Sequence, residues 1–306
     1  MSSFVDVAKC VMLSTILEKE SPDASFHAPA GSATITPGSI DDETSRRGRE
    51  YGSDYFRQNV SRSEVLSRSK YVELMSEPDD PQPAAVALRA FDGSHIFMDP
   101  RESNLHNIES YAEYHRCGAI MSRKGCSLTT MLAGCFWRDD LEGMLVVVDP
   151  PDPSAENADG DDWFNLVEPL LKRNATIVFC FGENGSSSIS WDGFALECRQ
   201  KVIEFDHLRS TANLDRCFEV NFKAPSYPLF KRHEHSFVKE QHGFICFGMK
   251  PETIEAIRTV GQELELLYQD FKFSNDDHGM PRFEISPLSK RTPCKPRRGR
   301  RSALAV

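Results

Sequence analysis

The spacing of apolar residues predicts a helix at the N-terminus, followed by a long interruption. Val5, Met12 and Ile16 fall on or near one side of a helix over residues 4–18, which indicates a short amphipathic helix. Residues 20–49 are rich in Ser, Pro, Gly, Thr and charge, and we interpret them as a linker or disordered segment.

Helical spacing then alternates with short apolar runs. Helices are indicated by residues 50–75, by ESNLHNIESYAEYHRC, by WFNLVEPLLKRN and, from Pro251, by PETIEAIRTVGQELELLYQDF. Buried strands are indicated by AAVALRAF, HIFMD, GAIMS, MLVVVD and ATIVFCF. This alternation favours an α/β fold with a mostly parallel sheet. RCFEVNF and GFICFGM follow without a regular helix between them, which predicts a late antiparallel hairpin at one edge.

Charge is distributed unevenly along the chain. The last 17 residues, 290–306, contain seven Lys or Arg and no acid, although the net charge of the whole chain is −10. Such a tail can bind nucleic acid, act as a nuclear import signal, or be a solvated disordered end. We therefore predict an N-terminal helix and linker at 1–49, one α/β domain at 50–289 and a basic disordered tail at 290–306.

Composition narrows the class of protein further. No apolar run reaches the roughly 20 residues that a membrane helix needs, so no membrane partner is expected. Nine cysteines without a C-x-x-C pair favour a reducing compartment, and we expect an intracellular protein, cytoplasmic or nuclear.

The H-E-H at 233–235, with His242 behind it, lacks a third ligand at standard spacing; we interpret it as an exposed loop and predict no metal site.

The stretch LVVVDPPD at 145–152 carries most of the candidate chemistry. In an open α/β sheet ligands bind beyond the carboxyl ends of the strands, so Asp149 is expected to face a crevice. Pro150 and Pro151 stiffen the turn and leave the Pro150 carbonyl free to accept a hydrogen bond. An amine that donates both hydrogens to this acceptor pair turns its lone pair towards an electrophile.

Several segments resemble the D-P-P class I methyltransferases, in particular the branch with the lysine methyltransferases of elongation factor 1A and the zinc-knuckle ribosomal-RNA adenine methyltransferases. The similar segments are EGMLVVVDPP, LVEPLLKRNATIVFCFG, RCFEVNF, GFICFG and, more faintly, FMDPRESNLHNI. The resemblance implies a Rossmann-like class I methyltransferase sheet and S-adenosylmethionine as cofactor. It also implies that Asp149 and Pro150 position an amine while Pro151 stiffens the turn.

The same resemblance places the methyl donor near FMDPRES, which it aligns with the first strand and donor-binding turn. Asp99, Pro100 and Arg101 are therefore candidate cofactor residues. Where the second strand of the family ends in an acid for the donor's ribose, this chain has Ser122, which we assign to the cofactor site.

The sequence also departs from the family pattern. The family has an aromatic residue after D-P-P, and this chain has Asp152; Trp163 or Phe164 is a candidate to take its place beside the substrate. DPRES stands in place of the expected glycine-rich donor loop.

The leading hypothesis is an S-adenosylmethionine-dependent methyltransferase acting on an amine, with adenine N6 in RNA or DNA and protein lysine both open. The alternative is a methyltransferase-like fold without catalysis that serves as a scaffold or nucleic-acid adaptor. A third hypothesis is a nuclear interaction protein that acts through its basic tail. The sequence leaves open the oligomeric state and the role of the insert at 152–162.

Overall fold

A computed structural model gives the architecture of the chain. It describes residues 3–35, 43–77, 79–125, 141–149, 169–183, 216–223, 227–231, 234–238, 241–269 and 282–287.

Twelve strands are present in the described residues. They are β1 Ala24–Ala28, β2 Thr34–Ile35, β3 Asp80–Pro81, β4 Ser94–Asp99, β5 Ile120–Lys124, β6 Met144–Val148, β7 Thr176–Glu183, β8 Phe218–Lys223, β9 Tyr227–Lys231, β10 Glu234–Val238, β11 Gln241–Phe247 and β12 Arg282–Pro287.

Eight α-helices are present in the described residues, besides the short turns given below. They are α1 Phe4–Glu20, α2 Glu43–Arg49, α3 Tyr55–Asn59, α4 Glu64–Ser67, α5 Lys70–Leu74, α6 Pro83–Ala90, α7 Glu102–His115 and α8 Pro251–Tyr268, with a π-helical turn at Glu50–Asp54 and a 3₁₀ turn at Val60–Arg62. Residues 169–171 are also helical.

Eight strands form one sheet in the order β12-β8-β11-β7-β6-β1-β4-β5. β1 pairs in parallel with β4 on one side and β6 on the other, β4 pairs in parallel with β5, and β6 with β7. β11 runs antiparallel between β7 and β8. These pairings confirm the predicted Rossmann-like α/β sheet, mostly parallel with a late antiparallel pair.

The central strand β1 corrects the prediction of a linker at 20–49. All five residues of Ala24–Ala28 are buried, and Phe26 lies opposite Ile96 on β4 and Val146 on β6. The sequence pattern of this strand is weak because two polar residues, Ser25 and His27, alternate with the apolar ones, and Pro and Gly follow shortly after. Residues 36–42 of the same segment lie outside the described residues.

Two further elements differ from their predictions. AAVALRAF, predicted as a strand, lies mostly in helix α6, which begins at Pro83, where the missing N–H of proline costs nothing, and continues through four alanines with high helix propensity. Residues 50–75 are helical as predicted but broken into short pieces. The predicted strands HIFMD, GAIMS, MLVVVD, ATIVFCF, RCFEVNF and GFICFGM are confirmed within a few residues.

The predicted helix at the N-terminus is present as α1, but it is buried on nearly every side rather than amphipathic. Apart from Asp6, Lys9, Glu18 and Lys19, its residues are buried. The ring of Phe4 packs edge-on against that of Tyr268 in α8, with 4.5 Å between the ring centroids. α1 therefore lies in the core, between the sheet and the other helices.

The two ends of α1 lie near opposite ends of the parallel strands. Glu20, at its C-terminus, accepts a hydrogen bond from the backbone N–H of Lys250 at the start of α8 (2.8 Å), and the chain then enters β1. The N-terminal half of α1 consequently extends towards the carboxyl ends of the strands. No described helix is long and apolar enough to span a bilayer.

Candidate functional site

The carboxyl ends of β1, β4, β6 and β7 meet at one edge of the sheet because these strands are parallel. β1 is the point at which the order of the strands reverses, since β4 and β5 lie on one side of it and β6 and β7 on the other. Open α/β sheets bind ligands at such a switch point, outside the carboxyl ends of the strands.

The turn after β1 is tied to both neighbouring strands. The backbone N–H of Ala30 donates to the carbonyl of Met98 at 2.9 Å, and the N–H of Asp149 donates to the carbonyl of Ala28 at 3.2 Å. Gly31 has a positive φ of 67°, which favours glycine, and a Cβ placed there would meet no atom of the described residues within 4 Å. Among the described residues, the backbone at Gly31 is therefore not covered by a side chain on its Cα side.

Asp99, at the end of β4, holds this turn in place. Its carboxylate accepts hydrogen bonds from the N–H of Gly31 (2.9 Å), the N–H of Arg101 (2.8 Å) and the side-chain amide of Asn104 (2.9 Å). The Asp99 side chain is only 1% exposed. Its oxygens are thus engaged by the protein itself.

Asp149 forms an ion pair that the sequence analysis missed. The ammonium of Lys9 on α1 lies 2.8 Å from Oδ2 and 3.0 Å from Oδ1 of Asp149. The side chains are 15% and 27% exposed respectively, so the pair is largely withdrawn from water but reachable from one side. The Asp149 carboxylate, which we predicted to bind a substrate amine, thus already binds the ammonium group of Lys9.

The environment keeps Lys9 charged. Burial alone would lower the pKa of Lys9, but the negative charge of Asp149, with a smaller contribution from Asp6, raises it above its ordinary value. Burial and the charge of Asp149 raise the pKa of the Cys180 thiol, which therefore stays neutral beside the pair.

His242 lies near the same edge, on β11. It pairs in register with Gly182 of β7 and Phe222 of β8, and its ring stacks on the Phe222 ring at 6.4 Å and 18°. Burial, with the positive charge of Lys9, lowers the pKa of His242 to about 3. The interpretation of this region as an exposed loop is therefore wrong for His242, which is half-buried in a strand.

The predicted cofactor residues lie on two neighbouring strands of the sheet. Asp99 is the last residue of β4, which pairs with β1, and Pro100 and Arg101 follow it directly. Pro100 is exposed and the Arg101 side chain is 74% exposed beside Asp99. Ser122 lies on the next strand, β5, where its hydroxyl donates to Glu109.

The remaining predicted site residues lie outside the described part of the chain. These are Pro150, Pro151, Asp152, Trp163 and Phe164. Within the residues that the structure does describe, no group of three His, Cys, Asp or Glu side chains could hold a metal ion.

A single signal in the sequence pointed to Lys9. In FVDVAKCVML a lysine interrupts an apolar run, and a buried lysine is rare unless it is paired. Its partner lies 140 residues away, so the sequence could show that Lys9 needed a carboxylate but not which one.

The fold is shared with a solved structure. Protein LPL1258 from Legionella pneumophila str. Philadelphia 1, of the family model DUF519, aligns over 94% of this chain and 98% of its own, with a TM-score of 0.61 and 11% sequence identity. At this identity the likeness shows the fold alone. EvdMO1 aligns with a TM-score of only 0.28 at 14% identity, over 65% of this chain and 50% of its own, and carries no argument. Neither a protein-family model nor a curated protein matches the sequence.

Proposed function

We propose that this protein is an S-adenosylmethionine-dependent methyltransferase that acts on a neutral amine, with adenine N6 in a nucleic acid favoured over protein lysine. The layout of the sheet supports the class, because a Rossmann-like sheet with a late antiparallel pair is the arrangement that the resemblance to D-P-P methyltransferases predicts. The D-P-P sequence begins at the carboxyl end of β6, next to the switch point.

The observation that carries the proposal is the fixed position of Asp149. A carboxylate has about four acceptor positions, and the Lys9 ammonium contacts each oxygen once. Acceptor positions remain for an incoming amine on the side that is still exposed. Lys9 thus restricts the rotation of the carboxylate, and a restricted acceptor orients an amine better than a free one.

The same ion pair favours a neutral amine. Lys9 cancels the charge of Asp149, so the pair offers no net attraction to an ammonium group. A substrate lysine would have to lose its proton beside a lysine that remains charged, whereas the exocyclic amine of adenine is neutral from the start. The ion pair therefore favours adenine N6 over lysine as the substrate amine.

The turn after β1 is the part of the chain best placed to hold the donor. Among the described residues, no atom lies within 4 Å of a Cβ position at Gly31, next to the switch point, which leaves room for a small-molecule ligand. When bound, the donor supplies an electrophilic methyl group. Asp99 orders this turn through the N–H of Gly31, and its 1% exposure does not fit direct contact with a ribose hydroxyl.

The burial of Asp99 also favours a second candidate function, that of a methyltransferase-like scaffold without catalysis. A carboxylate committed to its own chain leaves the donor without the acid that the family provides at the end of the second strand. Donor binding separates the two functions, because the scaffold function requires none.

The test is a calorimetric titration of the full chain with S-adenosylmethionine, followed by transfer of a labelled methyl group to two probes. The probes are a short single-stranded RNA that contains adenosine and a lysine-containing peptide. We expect donor binding and transfer to the RNA but little to the peptide. No donor binding would overturn the enzyme proposal, and preferential transfer to the peptide would overturn the choice of substrate.

A further inference from the structure

We propose that His242 is a substrate-facing residue of this site, where its imidazole ring stacks against the plane of the base whose amine is held by Asp149. The inference rests on the proposed function and deepens it by assigning a residue that recognises the flat substrate.

The register of the strands places His242 close to the ion pair. Val148 lies opposite Phe179, so Asp149 follows at the level of Cys180 on the neighbouring strand β7. Cys180 lies opposite Phe244 on β11, and His242 lies two residues further towards the carboxyl edge of the parallel strands, opposite Gly182. His242 therefore lies two strands away from Asp149 in the sheet and two residues closer to the carboxyl ends of the parallel strands.

Of the two described strand neighbours of His242, one places a side chain against its ring and the other does not. On β8, Phe222 stacks on the imidazole and supports it from one side. On β7, towards Asp149, the paired residue is Gly182, which has no side chain to cover the ring. A flat group that enters between His242 and Asp149 would meet a planar ring already held by Phe222.

The position of Lys9 links the ring to the site. Lys9 reaches Asp149 from α1, and its charge is close enough to contribute to the lowered pKa of His242. The imidazole is therefore neutral at physiological pH, and a neutral ring stacks on a base without placing a second cation beside Lys9.

Among the described residues, His242 supplies a ring for the base, in addition to the candidates Trp163 and Phe164. Enzymes that act on a base hold it between aromatic or apolar side chains, and the residue directly after D-P-P is Asp152, which has no ring. His242 is a planar side chain at the rim on the same face of the sheet as Lys9.

The test compares His242→Phe, which keeps a ring, with His242→Leu, which keeps similar bulk without one. Binding is measured by fluorescence anisotropy with a labelled oligouridine that contains one adenosine, and with the same oligouridine without it. Because a base gains affinity by stacking on a side-chain ring, we expect His242→Leu to weaken binding of the adenosine probe about tenfold and His242→Phe to restore it.

Kinetics and folding controls separate recognition from a structural role. We expect His242→Leu to raise KM for the adenosine probe more than it lowers kcat, while calorimetric affinity for S-adenosylmethionine and the thermal unfolding midpoint stay those of the wild type. If His242→Leu does not fold, His242→Gln takes its place in the same comparison.

Two outcomes would overturn the inference, and they differ. If the wild-type protein methylates the adenosine probe and the ring-free variant binds it equally well, His242 is not a recognition residue although the proposed function stands. If the wild-type protein neither distinguishes the two probes nor transfers a methyl group, the proposed function fails and the role of His242 fails with it.

Discussion

At the scale of single residues, the ion pair between Lys9 and Asp149 joins the first helix to the end of β6. Because both side chains are largely buried, the loss of one partner would leave the other charge poorly solvated. The pair therefore contributes to stability as well as to the candidate site.

Replacement of Lys9 by Met tests this contribution. Hydrogen bonds to charged groups are worth about 1.5–3 kcal/mol, and we expect Lys9→Met to lower the free energy of unfolding by about that amount in chemical denaturation. The matched control is Lys19→Met, on an exposed lysine of the same helix, which should change stability by less than about 0.5 kcal/mol. Equal effects of the two variants would contradict the account of the pair.

Buried histidines give the fold a defined dependence on pH. His27 and His95 lie on adjacent strands and share Ser25, whose hydroxyl is 3.2 Å from Nε2 of His27 and 3.0 Å from Nδ1 of His95. Burial lowers the pKa of His27 to about 3, helped by the charge of His95 when protonated. Burial lowers the pKa of His95 to about 4, although the backbone of Phe91 and the charge of Asp92 oppose the shift.

The sign of the pH effect follows from these shifts. Above about pH 6.5 the two histidines are neutral in the folded and the unfolded chain, so stability is full. As the pH falls below that value the unfolded chain takes up protons that the folded chain does not, and stability falls until the folded pKa values are reached. We expect a loss of about 1 kcal/mol per pH unit for each histidine, measured by denaturant unfolding.

The variant His27→Asn isolates one of these protons. It should make the fall in stability between about pH 6.5 and about pH 4 shallower. The exposed His106 is the control, and His106→Asn should leave the slope unchanged. An unchanged slope in the His27 variant would show that burial of this ring does not set the acid sensitivity.

At the scale of elements, the close approach of α8 and β12 is made possible by one glycine. Gly261 lies within helix α8, where glycine is unfavourable, yet a Cβ there would lie 2.2 Å from ring atoms of Phe283 on β12. Because residue 261 has no side chain, the Phe283 ring fits against α8. This contact packs β12, the last described strand, onto the helix.

Gly261→Ala should therefore destabilise the protein by about 1–3 kcal/mol, although alanine favours a helix by about 1 kcal/mol over glycine. In a Phe283→Ala background the same substitution should be neutral or stabilising, because the clash is gone. Free energies of unfolding for the four proteins form a double-mutant cycle. A stabilising effect of Gly261→Ala in the wild-type background would contradict the packing account.

The elements show where sequence patterns sufficed and where they failed. Continuous apolar runs such as MLVVV and TIVFC identified β6 and β7, because a strand buried on both faces needs apolar side chains at every position. The strand ASFHA was not recognised because it contains Ser25 and His27, two polar residues that are tolerated in the core since they hydrogen-bond to each other. The prediction of a strand at AAVALRAF was wrong because periodicity alone does not separate a short buried helix from a strand.

At the scale of the whole molecule, the order of the strands in the sheet determines where the candidate site lies. The sequence predicted the sheet class and Asp149 at a strand end, and both are observed. It could not show that β1 rather than β4 forms the switch point, because the strand was not recognised. It also could not pair Lys9 with Asp149, since that contact depends on how the first helix crosses the finished sheet.

The most direct test of the central claim is the rate of methyl transfer to the adenosine-containing RNA by Asp149→Asn, measured at saturating S-adenosylmethionine. Asparagine keeps the shape of the side chain but loses the charge and one acceptor, so we expect the rate to fall about 100-fold relative to the wild type. Calorimetric affinity for the donor should not change. A rate within about threefold of the wild type would contradict the claim that Asp149 positions the substrate amine.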